Sequence, residues 1–310
     1  MRTVDGMTHI DRPLLIHVAA EAEGRGRIVL ASCAAAPHSV ALSAAFDVAR
    51  AFDTWVDCLL VESPDVVALT AHGFAREVSH SGRIAPLSNA AILEGQSAAS
   101  SFARKAVLRA AQSTGLRVST TTVRDGLTDS LARACAIEGP WNIVALAEPV
   151  LATDAQRLHS LLDRVSGATG IVCIGPSATP SATNRPVIVV VEDMDRLSQM
   201  LRVAERLAKR QPDGPARPIV MLVAGATPDQ TAELEGNLRL LMAGIAEHAQ
   251  SAVTIVDTGH TYATTAEIAE AVRRLDGCFA IVRSNGAALP SNAEAAGLLS
   301  ILCCPMLLVR

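Results

Sequence analysis

Polar side chains that could bind a ligand follow two short apolar runs in this sequence. The candidate residues, in chain order, are Glu192, Asp193, Asp195, Arg283, Ser284, Asn285 and Gly286. Three carboxylates in such a short stretch could hold a divalent cation through oxygen ligands. A solvated loop that favours the N-terminal dipole of the next helix explains the same acids without a metal, and we predict no metal site. Arg283 could neutralise a phosphate group, so this region is our candidate ligand site.

A second polar group lies in the segment from Val66 to Asn89, which has no clean hydrophobic period. It contains His72, Arg76, His80 and Arg83. Loops of this length inside a compact domain are usually functional or disordered. These side chains could form an anion-binding lid, but we favour a flexible, solvated loop.

Catalytic motifs are missing from the sequence. It has no G-x-S-x-G elbow, no H-E-x-x-H pair and no G-x-x-x-x-G-K-[ST] loop, and we therefore predict that the protein is not an enzyme. An enzyme acting on a small phosphorylated substrate stays as a remote alternative, to be revived if His72 and His80 fold into a pocket. The 7 cysteines include no C-x-x-C pair, and we expect buried thiols in a reducing cytoplasm.

Composition narrows the class of protein further. The net charge of −4 gives no general attraction to nucleic acid or anionic membranes, and no apolar run is long enough for a membrane-spanning helix. We therefore expect no nucleic-acid partner, no membrane insertion and a cytoplasmic location. A length of 310 residues suits two domains of roughly 150 residues each.

The elements that must position the candidate residues alternate between short apolar strands and amphipathic helices. We predict an N-terminal extension over 1–26, a first domain over 27–176, a linker over 177–185 and a second domain over 186–310. Each domain reads β-α-β-α-β-α-β-α-β. This pattern predicts an α/β fold with two tandem doubly wound five-stranded parallel sheets and helices on both faces.

The expected strand order in each sheet is 3-2-1-4-5, which places a ligand crevice between the tips of the first and fourth strands. In the first domain these tips are Cys33 and Ala147–Glu148. In the second they are Glu192–Asp195 and Arg283–Gly286.

In the order of its predicted strands and helices, the sequence resembles the universal stress protein family. The resemblance rests on the strand–helix openings RIVLASC…SVALSAAFDVARAF and PVIVVVEDMDRLSQMLRVAERLA, on GLRVSTTTVRDGLTDSLARACAIEGPWNIVAL, and on the closing CCPMLLV at 303–309. It covers the chain from Arg27 to Arg310 as two tandem copies. It implies a cytoplasmic stress-response protein whose two domains pack as a pseudo-dimer, with Gly170–Gly175 facing Met306–Arg310.

The resemblance also implies what a nucleotide site would need. Family members that bind ATP use an Asp at the tip of strand one and a glycine-rich loop after strand four that ends in Gly-Ser or Gly-Thr. Cys33 stands at the Asp position of the first domain, which we expect not to bind a nucleotide. In the second domain Glu192 stands there, and Leu298 replaces the Ser or Thr after Gly297.

We therefore predict a non-catalytic stress-response or regulatory protein that acts through an unknown protein partner, with a homodimer as one option. We predict no cofactor. The alternative is an adenine-nucleotide sensor that binds ATP or AMP in the second crevice through Glu192, Arg283, Ser284, Asn285 and Gly286.

Overall fold

The computed structural model describes residues 26–33, 36–79, 81–137, 141–180, 185–209, 216–225, 227–245, 253–257, 264–286, 289 and 291–310. Three predicted regions lie at least partly outside the described residues. They are the N-terminal extension, of which only Gly26 is described, the lid residue His80, and residues 181–184 of the linker.

The described strands follow the predicted order along the chain, with one addition. They are β1 (Arg27–Ser32), β2 (Val56–Val61), β3 (Arg76–Val78), β4 (Ile84–Pro86), β5 (Val118–Val123), β6 (Asn142–Leu146), β7 (Ala168–Cys173), β8 (Val187–Val191), β9 (Ile219–Val223), β10 (Val253–Asp257), β11 (Phe279–Arg283) and β12 (Met306–Val309). The short antiparallel pair β3–β4 is the addition.

The described α-helices alternate with these strands. They are α1 (Ser39–Ala51), α2 (Pro64–Ala68), α3 (Asn89–Thr114), α4 (Leu127–Ile137), α5 (Ala155–Arg164), α6 (Leu197–Ala208), α7 (Pro228–Ile245), α8 (Thr265–Arg274) and α9 (Asn292–Ile301). None of the helices in the described part of the chain is long and apolar enough to cross a bilayer.

The ten long strands form one sheet in the order β10-β9-β8-β11-β12-β7-β6-β1-β2-β5. Counted from the start of each half of the chain, the order is 3-2-1-4-5 twice, which confirms the predicted fold class. Every neighbouring pair is parallel except β7 and β12, which are antiparallel and join the two halves. The two predicted sheets are therefore continuous with each other.

The sheet is buried on both faces because its strands have apolar side chains on both sides. All residues of β1, β8 and β9 are buried. Alternate strand residues feed two separate apolar layers, as expected for a parallel sheet between two layers of helices.

The seam between the halves depends on a close approach of two backbones. A Cβ atom at Gly170 in β7 would lie 2.9 Å from the carbonyl oxygen of Leu308 in β12. The strand begins at Ala168 instead of the predicted Gly170, and Met306 pairs with Cys173 while Val309 pairs with Gly170.

Two local predictions were wrong. The segment predicted as a flexible loop contains α2, a 3-10 turn at Leu69–Ala71 and the hairpin β3–β4. Its strands are three residues long, too short to show a period, and α2 begins because Ser63 accepts a hydrogen bond from the Asp65 N–H. Thr128 and Asp129, predicted as candidate caps of α4, lie inside that helix.

Candidate functional site

The predicted crevices lie where the winding of each half reverses, between β1 and β6 and between β8 and β11. In both halves the residues that follow these strands approach each other across the crevice. The structure therefore brings Glu192 together with the turn that contains Arg283, Ser284, Asn285 and Gly286, although about 90 residues separate them in sequence.

Glu192 directs its carboxylate at the turn opposite. Glu192 is 3% exposed, and a Cβ atom at Gly286 would lie 1.6 Å from its Oε1 atom. Only a glycine allows the carboxylate to come this close to the backbone. The backbone carbonyl of Glu192 accepts a hydrogen bond of 3.4 Å from Gln230, which ties β8 to α7.

Arg283 is neutralised by the acids that follow β8. Its guanidinium donates a short hydrogen bond to Asp193, and Asp195 lies 3.8 Å away. Asp193 also accepts a hydrogen bond of 2.9 Å from the backbone N–H of Asp195, so this carboxylate holds the loop. An incoming phosphate would have to compete with both carboxylates for the arginine.

The turn after β11 is bound to the neighbouring strand. The Ser284 N–H donates to the Val309 carbonyl at 2.8 Å, and Asn285 has a left-handed backbone with φ 57°. Asparagine tolerates this conformation better than most residues. No group of three or more His, Cys, Asp or Glu residues in the described part of the chain could hold a metal ion.

A carboxylate also fills the crevice of the first half. Glu148 accepts hydrogen bonds from the Cys33 N–H at 2.7 Å and the Ser32 hydroxyl at 3.1 Å, and Arg157 lies 3.8 Å away. At the same crevice, the His38 N–H donates to the Ala147 carbonyl at 2.9 Å. The pKa of the Cys33 thiol is raised to about 11, first by burial and then by the Glu148 charge.

A third carboxylate, which the sequence analysis missed, follows β2. Glu62 is buried and accepts from the Ser100 hydroxyl at 3.0 Å and from Arg124 at 2.7 Å. It borders a polar cavity of about 460 Å³, in which Arg104 donates to Thr122 at 3.0 Å. The signal was present: WVDCLLVE ends in a glutamate after an apolar strand, as PVIVVVE does.

The described members of the predicted lid are exposed. His72, Arg76 and Arg83 lie on the segment 64–87, and none of them lines the cavity beside Glu62 or the larger cavity over the β7–β12 seam. The His72 ring lies against Phe74 with 5.4 Å between the ring centroids, and Arg76 donates to the Gly73 carbonyl at 2.9 Å.

Apolar side chains are exposed on the same segment, which we call the 64–87 segment. It contains five of the eleven large hydrophobic residues that are exposed in the described part of the chain: Val66, Leu69, Phe74, Val78 and Ile84. Phe74 is 80% exposed, Val78 68% and Ile84 67%. Such a concentration marks an interaction surface more often than single exposed residues do.

Comparisons with known proteins identify the fold. No protein-family model and no curated protein sequence matches the chain. A solved universal stress protein from Archaeoglobus fulgidus superposes with a TM-score of 0.59 and 10% identity, over 92% of this chain and 96% of that chain. A functionally unknown protein from Pseudomonas aeruginosa PAO1 superposes with a TM-score of 0.51 and 16% identity, over 93% and 94% of the two chains. A candidate universal stress protein from Pseudomonas aeruginosa UCBPP-PA14 gives a TM-score of 0.51 and 15% identity over the same shares.

These identities are low, and the likeness concerns the fold alone. The structural neighbours include a universal stress protein, in agreement with the resemblance seen in the sequence.

Proposed function

We propose that this protein is a non-catalytic regulator of a stress response that acts in the cytoplasm by binding another protein through the 64–87 segment. The observation that carries the proposal is the set of exposed apolar side chains on this segment, above all Phe74, Val78 and Ile84. Their exposure to water is unfavourable, and a partner protein that buries them would recover the hydrophobic free energy.

The state of the crevices supports a role without turnover. Glu148 is hydrogen-bonded across the first crevice, and Glu192 lies against Gly286 in the second. Both carboxylates would repel the phosphate groups that this type of fold binds at its switch points. The likeness to a universal stress protein supports the assignment to a stress response.

Hydrogen bonds hold the start of the segment and the base of its hairpin in place. Ser63 caps α2, Gln96 of α3 donates to the Ser63 carbonyl at 2.9 Å, and the Leu87 N–H donates to the Ala75 carbonyl at 3.2 Å. The first two bonds hold the start of the segment against α3, and the third closes the base of the hairpin. A preorganised surface binds more tightly because less conformational entropy is lost on association.

A photo-crosslinking experiment tests this surface. A benzoyl-phenylalanine placed at position 74 should form an adduct with the partner in cells, whereas the same residue at position 240 should not. Leu240 is a matched control because it is equally exposed, at 76%, but lies on α7. Mass spectrometry would identify the partner. An adduct with a second copy of this chain would show that the protein forms a homodimer through this segment.

The purified partner then allows a quantitative test. Replacing Phe74, Val78 and Ile84 together by serine should weaken the complex by about a thousandfold or more, since each buried apolar side chain contributes about 1.5–3 kcal/mol. Leu240→Ser should leave the affinity unchanged. Adducts of equal yield at 74 and 240, or a complex that survives the triple substitution, would disprove the proposal.

The alternative function is adenine-nucleotide sensing in the second crevice. Glu192, Arg283, Ser284, Asn285 and Gly286 do converge there, which is the observation in its favour. A thermal shift with ATP or AMP that is lost in Arg283→Ala would support it. The same shift retained in Arg283→Ala would place the nucleotide elsewhere.

A further inference from the structure

A large cavity lies over the seam between β7 and β12, apart from the 64–87 segment. Its volume is about 810 Å³, which falls within the range of small-molecule sites. Its floor is apolar and includes Ile143, Leu307 and Val309. We call it the seam cavity.

The cavity exists because helices cover the seam unequally. On one face of the sheet, α5 and α9 pack against each other. On the opposite face, one end of the seam is closed by Ile174 and Ala178, which pack on Val40 and Ala41 of α1. At the other end, the C-terminal end of α1 and one side of α6 form two walls with a space between them.

The wall at the end of α1 is aromatic. Phe52 and Trp141 lie with their ring centroids 5.2 Å apart and their planes tilted by 49°. Arg206 of α6 reaches across to Phe52, with its guanidinium carbon 5.0 Å from the ring centroid. The two walls are thus joined by a cation–π contact at one point.

The α6 wall is basic. The side chains that line the cavity in the described structure include four guanidinium groups, those of Arg196, Arg202, Arg206 and Arg310, and one carboxylate, that of Asp53. The whole chain has a net charge of −4. Positive charge is therefore concentrated here against the overall charge of the protein, and it would attract anions into the cavity.

The four arginines are not equivalent. Arg310 is held by the carbonyls of Val165 and Ala168, at 2.6 and 3.4 Å. Within the described part of the chain, the Arg196 guanidinium hydrogen-bonds to the Gln199 side chain at 3.4 Å, and Arg202 donates from its Nε to the Ser198 carbonyl at 3.2 Å. Neither Arg196 nor Arg202 forms an ion pair with a carboxylate of the described residues, so both can turn toward an anion.

We propose that the seam cavity binds a small organic anion with an apolar body. The anionic group, a carboxylate or a phosphate, lies against Arg196 and Arg202, where charge-assisted and bidentate hydrogen bonds are available. The ring or acyl body lies on the apolar floor beside Phe52 and Trp141. An inorganic anion would leave this floor uncovered, and a neutral apolar molecule would gain nothing from the arginines.

Tryptophan fluorescence gives a direct test. The chain has 2 tryptophans, Trp55 and Trp141, and Trp55→Phe leaves the one that lines the cavity as the only reporter. Titration of this protein with 1-naphthyl phosphate should change the Trp141 emission and saturate below about 1 mM, an ordinary affinity for a small ligand. Octanoate is the second probe, and it distinguishes an acyl body from a ring.

Two further probes separate the parts of the ligand. Inorganic phosphate carries only the charge, and 1-naphthol carries only the ring. Each should bind about tenfold or more weakly than 1-naphthyl phosphate, because it lacks either the apolar contact or the charge-assisted hydrogen bonds. Calorimetry on the unmodified chain should give the same order of affinities for these probes.

Variants test the assignment of residues. Arg196→Gln combined with Arg202→Gln should weaken 1-naphthyl phosphate by about tenfold to a hundredfold, as expected for lost charge-assisted hydrogen bonds. Arg109→Gln combined with Arg117→Gln is the matched control, since it removes two exposed positive charges elsewhere. Val203→Trp should fill the cavity and abolish binding, with circular dichroism confirming the fold.

The proposal is overturned if neither 1-naphthyl phosphate nor octanoate binds below about 1 mM. It is also overturned if the double replacement of Arg196 and Arg202 leaves the affinity for 1-naphthyl phosphate unchanged. Binding of inorganic phosphate or 1-naphthol as tight as that of 1-naphthyl phosphate would overturn it too. The 64–87 segment takes no part in this test, so either proposal can fail while the other stands.

Discussion

The Cys33 thiol and the Glu148 carboxylate show how one charged residue sets the chemistry of its neighbour. Glu148 accepts the Cys33 N–H at 2.7 Å. Burial of the thiol and, to a smaller extent, the Glu148 charge together raise the pKa of Cys33 to about 11, and Arg157 opposes the shift. A thiol is nucleophilic only as the thiolate, so Cys33 should react slowly even though part of the residue is exposed to solvent and only its surroundings bury the thiol.

Replacing Glu148 by glutamine should make Cys33 more reactive. At pH 8, about one Cys33 thiol in a thousand is ionised with a pKa of about 11. The substitution keeps an acceptor for the Cys33 N–H but removes the negative charge, so the pKa falls and alkylation by iodoacetamide accelerates several-fold. Mass spectrometry at pH 8 measures the rate, with exposed Cys303 as the internal reference.

An unchanged ratio of Cys33 to Cys303 labelling in Glu148→Gln would show that burial alone protects the thiol. The Glu77→Gln variant is the control, because that carboxylate lies on the exposed hairpin strand β3. It should leave both rates unchanged.

A pair of glycine substitutions tests the contact between Glu192 and Gly286. Gly286→Ala should destabilise the fold by about 1–3 kcal/mol, because the new methyl group would overlap the Glu192 carboxylate and overpack a buried site. Gly297→Ala should have the opposite effect. Gly297 lies inside α9 with no atom within 4 Å of the added methyl group, so alanine should stabilise the helix by about 0.5–1 kcal/mol.

Urea denaturation of the single and double variants measures the coupling. In a Glu192→Ala background, the cost of Gly286→Ala should fall, since the overlapping group is gone. Equal costs in both backgrounds would mean that the carboxylate moves aside freely and does not fix the turn.

At the residue scale the sequence located the candidate residues but not their pairing. It predicted correctly that Glu192, just after β8, and Arg283, the last residue of β11, lie at strand tips that meet at one crevice. It did not predict that Asp193 accepts a hydrogen bond from the Arg283 guanidinium, or that the Glu192 carboxylate packs against the backbone of Gly286. Those contacts depend on side-chain rotamers and on the left-handed backbone of Asn285, which local sequence patterns do not determine.

At the element scale, prediction succeeded where an element is long and failed where it is short. The helix predicted over 91–113 is Asn89–Thr114, and Gly115 ends it with a φ of 68°. The hairpin β3–β4 was not predicted, because three-residue strands show no period. The functional proposal therefore depends on an element that only the structure revealed.

Arg310, which follows the last strand, ties that strand to the end of a helix from the other half. Its guanidinium donates to the carbonyls of Leu162, Val165 and Ala168, at the C-terminus of α5 and the start of β7. Arg310→Met should destabilise the fold by about 1–3 kcal/mol, because these carbonyls lose a charged donor near the negative end of the helix dipole. Chemical denaturation measures the change in the free energy of unfolding.

Arg310→Lys should recover part of the loss, since an ammonium keeps the charge but not the fork of donors. Arg133→Met is the control, because that arginine makes an exposed ion pair with Asp125, and the substitution should change stability little. Similar effects of Arg310→Met and Arg133→Met would show that the contact across the halves does not stabilise the protein.

At the scale of the whole molecule, the seam decides how the two halves behave. The alternation of strands and helices predicted a parallel, doubly wound sheet, and the expected strand order 3-2-1-4-5 is the one observed in each half. An apolar edge strand needs a partner, which gave a reason to expect the last strands together. Their register could not be predicted, because both strands are apolar on both faces and no alternation selects one alignment.

A continuous buried sheet should unfold as one cooperative unit. The 2 tryptophans, Trp55 and Trp141, both lie in the first half, whereas far-ultraviolet circular dichroism reports helices of both halves. If the seam couples the halves, the urea transitions measured by the two methods should coincide. A fluorescence transition at a different midpoint from the dichroism transition would show that the halves unfold independently.

A seam variant supplies the matched comparison. Gly170→Val places a side chain where a Cβ atom would already lie 2.9 Å from the Leu308 carbonyl oxygen, so it should separate β7 from β12 without touching either predicted crevice. The two transitions should then diverge, with fluorescence following the first half alone. Both strands line the seam cavity, so the same variant should also lose 1-naphthyl phosphate binding. The affinity for this ligand would then be a second measure of whether the seam is intact.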